Sequence, residues 1–177
     1  MSNRPDDDLH IAPPTAPGVL GDPMPQGRIL DTPLLAGRIK LRDDDFMVDE
    51  LPLYEPRGEG EHLYLRVQKR GLAHTELLGI LRRHFKVKES AIGAAGMKDR
   101  VAMTGQTISI HLPGTHGPPA EVATAIEDSR VQIVWADWHT NKLRRGHLAG
   151  NRFSIRIRDL DPLQAPAVWR AMQELEK

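Results

Sequence analysis

From His62 the chain alternates cleanly. Leu63, Leu65 and Val67 fall on one side, and His62, Tyr64, Arg66 and Gln68 on the other. A period of two is strand geometry, so the segment is predicted as a strand with one buried face. The same rhythm returns at Thr107 to Leu112, with Ile108, Ile110 and Leu112 inward. It returns again where Phe153, Ile155 and Ile157 alternate with Arg152, Ser154, Arg156 and Arg158. Shorter strands are predicted at Arg38 to Leu41, Phe46 to Leu53 and Val131 to Trp138. Ala91 to Met97, small and apolar, suits a buried strand or a close backbone approach. Between them lies a 3.6-residue period. Leu77, Leu78, Leu81 and Phe85 form one apolar face, Thr75 is placed to cap the helix, and Arg82, Arg83, Lys86 and Lys88 crowd its C-terminal end. A short helix is expected from Pro119 to Asp128. A last one is expected after Asp161, with Pro162 at its first position and Val168, Met172 and Leu175 on one face. Strands joined by hairpin-like breaks and flanked by helices predict an α+β fold with a largely antiparallel mixed sheet.

The 177 residues make one domain's worth of chain. Residues 1–30 are rich in proline and lack apolar periodicity, so they are expected to be a disordered tail; residues 31–177 are expected to hold the ordered portion. No apolar run is long enough to span a bilayer, and Asp6, Asp7 and Asp8 stand where an export signal would need a basic start. With no cysteine, disulfides, thiolate metal sites and cysteine nucleophiles are excluded; the chain fits a cytoplasmic setting. Net charge is zero, but acids gather early and bases late. Lys142, Arg144, Arg145, His147, Arg152, Arg156 and Arg158 could form a solvated surface or a face for a polyanion.

Several familiar sites are absent from the sequence. Gly93 to Lys98 lacks phosphate-loop spacing, and Asp99 stands where a magnesium-holding hydroxyl would be. The histidines show no paired-ligand spacing, so no metal site is expected. There is no serine in a nucleophile elbow. What remains is Asp99, between Lys98 and Arg100. A carboxylate flanked by cations could act as nucleophile or general base. Glycine, lysine and aspartate are equally common in plain turns. Phe153 is similarly open: its phase with Ile155 and Ile157 argues for core, while an aromatic beside a basic face could stack on a nucleobase.

At these residues a resemblance enters. Gly96 to Gln106 is similar to the G-x-K-D-x-x-A-x-T-x-Q block of the TruD family of tRNA pseudouridine synthases. Asp45 to Glu50 resembles the family's D-F-x-V-x-E, Gly58 to His62 its G-E-G-E-H, and Lys142 to Phe153 its K-L-R-x-G-x-L-x-G-N-x-F. The resemblance runs from about residue 37 to the end. It implies a tRNA pseudouridine(13) synthase activity: the bond from C1′ to N1 of a uridine is broken and remade to C5, with no metal or cofactor. It further implies Asp99 as the catalytic aspartate. Phe153 would pack on a flipped-out base and Asn151 would help hold the catalytic loop. Lys98 would be a neighbour of the aspartate or a phosphate contact, and Arg100, Arg144 and Arg145 would bind RNA. The partner would be tRNA, with no DNA and no membrane. The family's later N-Y-F-G-x-Q-R-F-G block is not among these residues. A truncated N-terminal portion is therefore expected: a monomer if complete, joined by a complementary chain if split. The alternative is a catalytically incompetent RNA-binding fragment.

Overall fold

The structure is a computed structural model that describes residues 37–175 of the 177. The proline-rich tail expected at residues 1–30 lies outside the described residues. The chain divides into two compact units. One is Ile39–Arg158; the other draws on residues before Ile39 and after Arg158.

The larger unit is built on one sheet. Its strands are β1 (Phe46–Pro52), β2 (His62–Arg70), β3 (Ile92–Ala94), β4 (Met103–His111), β5 (Val131–His139) and β6 (Leu148–Ile155). The order across the sheet is β5-β2-β4-β1-β6, with β3 also paired to β4. The β1–β4 pair is parallel and every other pair is antiparallel. This is the α+β class with a largely antiparallel mixed sheet that the sequence predicts.

β2 and β4 carry the register. Leu63 lies opposite Ile110, Leu65 opposite Ile108, Val67 opposite Gln106 and Lys69 opposite Thr104. Those side chains share one face. Helix α1 (His74–His84) covers its apolar end, where Leu77, Ile80 and Leu81 pack with Leu63, Leu65, Val67, Ile92, Ile108 and Ile110. Each fully buried leucine there contributes about 1.5–3 kcal/mol. Leu78 and Phe85 pack on the same cluster half-buried, as the helical period requires.

The local structure departs from expectation at several places. Thr75 does not cap α1. The cap position is Ala73, and the Glu76 carboxylate takes the Ala73 amide hydrogen at 3.0 Å. Arg38 to Leu41 is not a strand, because Lys40 adopts a left-handed φ of +59°, which breaks an extended run. The helix expected from Pro119 to Asp128 closes early, as α2 (Pro119–Val122). β-branched Thr124 and Ile126 disfavour its continuation, and Ile126 instead reaches the core. β2 is buried on both faces: Tyr64 joins Ala95 and Leu143 in a second small cluster. The connector after β5 lies against that face, and Leu143 donates its amide hydrogen to Ser109 Oγ at 2.9 Å. Its passage explains Gly93, since a Cβ there would collide with the Leu143 carbonyl and Ser109 Oγ. The close approach anticipated for Ala91 to Met97 is therefore real at β3.

In the other unit, Asp161 accepts the Leu163 amide hydrogen at 2.9 Å. It caps a 3-10 turn, Pro162–Gln164, and not an α-helix directly. Helix α3 (Ala165–Leu175) follows, with Trp169, Met172 and Leu175 among its exposed side chains. Arg38 and Asp159 form an exposed ion pair at 3.6 Å.

Candidate active site

The face that α1 covers at one end is open at the other. Following β2 and β4 out from under the helix, the inward residues change from apolar to polar: Val67 and Ile108 give way to Lys69, Thr104 and Gln106. On β1 the same face carries Phe46, Val48 and Glu50, and opposite them on β6 stand Ile155, Phe153 and Asn151. The loop of residues 95–101, between β3 and β4, lies over this polar end.

That loop is held from several sides. Gly146 donates its amide hydrogen to the Ala95 carbonyl at 2.9 Å, and Gly71 donates to the Ala102 carbonyl at 3.2 Å. Lys98 turns inward and pairs with Glu50 at 2.8 Å, at side-chain exposures of 6% and 1%. The other Glu50 oxygen accepts the Thr107 amide hydrogen at 3.1 Å. Lys69, fully buried, donates to the Asp99 carbonyl at 2.8 Å and to the Leu72 carbonyl at 2.7 Å. Burial pulls the Lys69 ammonium below the usual lysine range, and the Asp99 charge opposes that pull. Neighbouring His74 is likewise held below its ordinary value, by burial first and then by Lys69 and Lys98.

With Lys98 pointing in, Asp99 points out. Its carboxylate is 60% exposed and pairs with Lys40 at 2.8 Å. Lys40 reaches it from its left-handed backbone, a conformation that costs an L-residue about 1–2 kcal/mol. The same ammonium sits 4.0 Å from the centroid of the Phe46 ring, a cation–π arrangement. Phe46 in turn lies 6.1 Å from Phe153, ring to ring, tilted by 59°. Asp99, Lys40, Phe46 and Phe153 thus follow one another across the open sheet.

Phe153 is not core. The residue is 56% exposed, although its phase matches that of the buried residues. The alternation correctly gives its face, but α1 does not extend over β1 and β6. Ile157 lies beyond the end of β6. Asn151 is exposed opposite Glu50, and Arg100 is exposed on the loop itself. Arg144 and Arg145 are exposed on the connector that holds Ala95, and with His74 they line a cavity along β3. Among the described residues, no group of three or more His, Asp or Glu side chains is placed to hold a metal ion.

Lys40 and Lys69 escaped the sequence reading, and Glu50 was read there only as part of a strand and a motif. Two of the three left a signal. Lys69 is in phase with Leu63, Leu65 and Val67, and Glu50 is in phase with Val48, so each puts a charge on a buried face. Such a charge must be paired. Lys40 left none, because its role depends on a backbone turn.

An exposed carboxylate on a clamped loop, paired with one ammonium and facing an aromatic floor, is equipped to act as nucleophile or base on a flat ring. The pattern of the tRNA pseudouridine synthase D (TruD) family matches residues 26–177. The chain belongs to this family. It is 52% identical over 129 residues to the tRNA pseudouridine synthase D of Syntrophotalea carbinolica, covering 73% of this chain and 31% of that one. To the protein of the same name from Thermus thermophilus it is 46% identical, covering 72% and 35%. The candidate tRNA pseudouridine synthase D of Methanosarcina mazei, a crystal structure, superposes with a TM-score of 0.67 at 29% identity. That match covers 79% of this chain and 31% of the archaeal one. The chain spans about a third of the length of the curated relatives it matches.

Proposed function

We propose that this chain is the N-terminal portion of the catalytic domain of a tRNA pseudouridine synthase and that Asp99 is its catalytic carboxylate. The observation that carries the reading is the Asp99 side chain itself. It is exposed on a loop pinned by Lys69 and Lys98, beside an aromatic floor that no helix of its unit covers. Kinship supports tRNA as the substrate; we take uridine 13 as the target and place the reaction in the cytoplasm. No described helix is long and apolar enough to cross a membrane.

The reaction exchanges one glycosidic bond for another. The C1′–N1 bond breaks, the uracil turns, C1′ bonds to C5, the C5 proton leaves, and N1 takes up a proton. Two electrophilic centres are open to an Asp99 oxygen, uracil C6 and ribose C1′; the carboxylate can also receive the proton. A uracil inside a helix presents neither centre, so the base must leave the stack. Phe153 receives it, a stacking contact of about 1–3 kcal/mol. Lys40 orients the carboxylate, and Asn151 lies along the same face near the loop. Arg100, Arg144 and Arg145 meet the phosphates, while Lys98 acts through Glu50 to hold the loop.

The test is Asp99→Asn assayed on unmodified tRNA. Pseudouridine formation falls below detection while tRNA binding and melting temperature stay near wild type, since the side chain is exposed. Turnover at the wild-type rate by the asparagine variant overturns the assignment.

A further inference from the structure

A second site lies on the other face of the sheet. Tyr54, in the loop after β1, packs its ring against His139 with centroids 5.3 Å apart and planes 28° from parallel. Its hydroxyl lies 2.9 Å from His147 Nδ1. Beneath them Tyr64 donates its hydroxyl hydrogen to the Asn141 carbonyl at 3.0 Å. Burial pushes the Tyr64 phenol far above its usual range, so it remains a donor. This wall bounds a cavity of about 550 Å³, which Arg57, Lys142 and Arg144 also line. Glu55 is the single acid on its lining.

Two observations mark the cavity. Its wall is packed: His139 is only 5% exposed, with its ring against those of Tyr54 and Tyr64. The exposed guanidinium groups of Arg57 and Arg144 take part in no hydrogen bond or ion pair among the described residues. Arginine without a carboxylate partner suits a phosphate, which it meets with two parallel N–H bonds.

We propose that this cavity binds a phosphate-bearing nucleotide unit of an RNA strand, with Arg57 and Arg144 on the phosphate and the Tyr54–histidine wall against the sugar and base. The volume exceeds what a lone anion needs and falls in the range that holds a small molecule. An RNA strand is favoured over a free nucleotide by what lies next to it. Lys142 and Arg144 also line a second cavity, together with Arg145, along β3, the strand that leads into the Asp99 loop. The cations therefore continue from one cavity to the other along a single connector. Tyr64 alternates with Leu63 and Leu65, so the site sits on the face opposite Asp99 and grips RNA away from the reacting base. The proposal rests on the RNA-binding part of the proposed function and is independent of Asp99 chemistry.

The experiment has two arms. In the first, inorganic phosphate and then UMP are titrated into the full chain while the histidine ring protons are followed by NMR. The His139 and His147 resonances move and saturate, and Tyr54→Phe changes the His147 shift. In the second, tRNA affinity is measured against salt for Arg57→Ala combined with Arg144→Ala. Affinity falls about ten-fold, and the slope of log K on log salt drops by about two. The control, Arg82→Ala with Lys86→Ala, removes the same charge from outside the cavity and leaves the slope near wild type. Equal losses in both pairs, an unchanged slope in the cavity pair, or a wild-type chain that holds no tRNA overturns the proposal. Phosphate shifts that tRNA does not compete away assign the site to free nucleotides and overturn the RNA occupant. Turnover by Asp99→Asn bears on the catalytic reading alone, so the two can fail separately.

Discussion

The two ends of one sheet face, the one under α1 and the one under the Asp99 loop, share strands, phase and pleat. They differ in what they bury. Under α1 the face is Leu63, Leu65, Ile108 and Ile110, fully buried and dry. Under the loop it is Glu50, Lys69, Thr104 and Gln106, also fully buried or nearly so, and polar. Burial alone therefore does not separate core from site here; the nature of the buried group does. Covering a leucine is favourable in itself. Covering Lys69 or Glu50 is costly unless each atom is partnered, which is what specifies the loop geometry. The dry end makes the fold stable, and the polar end makes one loop conformation preferable to others.

The contrast can be broken most sharply at Glu50. Glu50→Gln leaves the Lys98 ammonium buried beside a neutral amide, and removing one partner of such a pair costs about 3–5 kcal/mol. Chemical denaturation measures this loss. Lys98→Met paired with Glu50→Gln recovers much of it, because no buried charge is left without its opposite. A single variant as stable as wild type would show that water reaches the pair. At the dry end, Leu65→Ala costs about 2–5 kcal/mol through lost burial and a residual cavity, and no second substitution at the polar end recovers it.

These two sites also show what was legible in the sequence. Leu65 was plain, because period two with apolar residues on one side has few other readings. Glu50 and Lys69 were legible in a weaker sense. Each violates the pattern of its own strand, and such violations concentrate at functional sites. The direction of Lys98 was hidden. It depends on a loop whose course is set by Lys69 and Gly71 before it and Gly146 after it, all distant from the loop in the chain. The same holds for Lys40 on Asp99, a contact across 59 residues. Phe153 is a third case, where the face was correct and the burial was not. Periodicity reports which side of a sheet a residue occupies, and only the tertiary arrangement reports whether anything covers that side.

A smaller effect is expected at Asp45, where β1 begins. Its buried carboxylate accepts two hydrogen bonds from Arg158, each 2.7 Å, and one from the Arg42 amide at 3.1 Å. The Arg158 hydrogen bonds hold its pKa below the ordinary 3.8, against the pull of burial. A depressed folded pKa contributes stability that is present above the unfolded value and lost as pH falls through the folded one. Asp45→Asn should therefore flatten the acid limb of the stability curve below about pH 4, while the wild type keeps losing stability there. Identical acid limbs for the two proteins would remove Asp45 as the cause.

The smallest effect on stability, and the sharpest on the comparison, belongs to Phe153. It shares its face with Leu65, and an alanine at either position removes a large apolar side chain. If phase determined energetics, the two would cost alike. The structure separates them: Leu65 is fully buried, whereas Phe153 is more than half exposed beside the tilted ring of Phe46. Phe153→Ala should change unfolding free energy by no more than about 0.5 kcal/mol, the range of ordinary surface substitutions. Its cost should fall on substrate instead. Loss of a stacking contact of about 1–3 kcal/mol predicts roughly 5- to 150-fold weaker engagement of the flipped uracil, with the melting temperature hardly moved. Phe153→Tyr keeps a flat ring and should restore most of that engagement. A Phe153→Ala protein that melts as early as Leu65→Ala would return this residue to the core. One that keeps full activity would move the base-stacking surface elsewhere on the open end of the sheet.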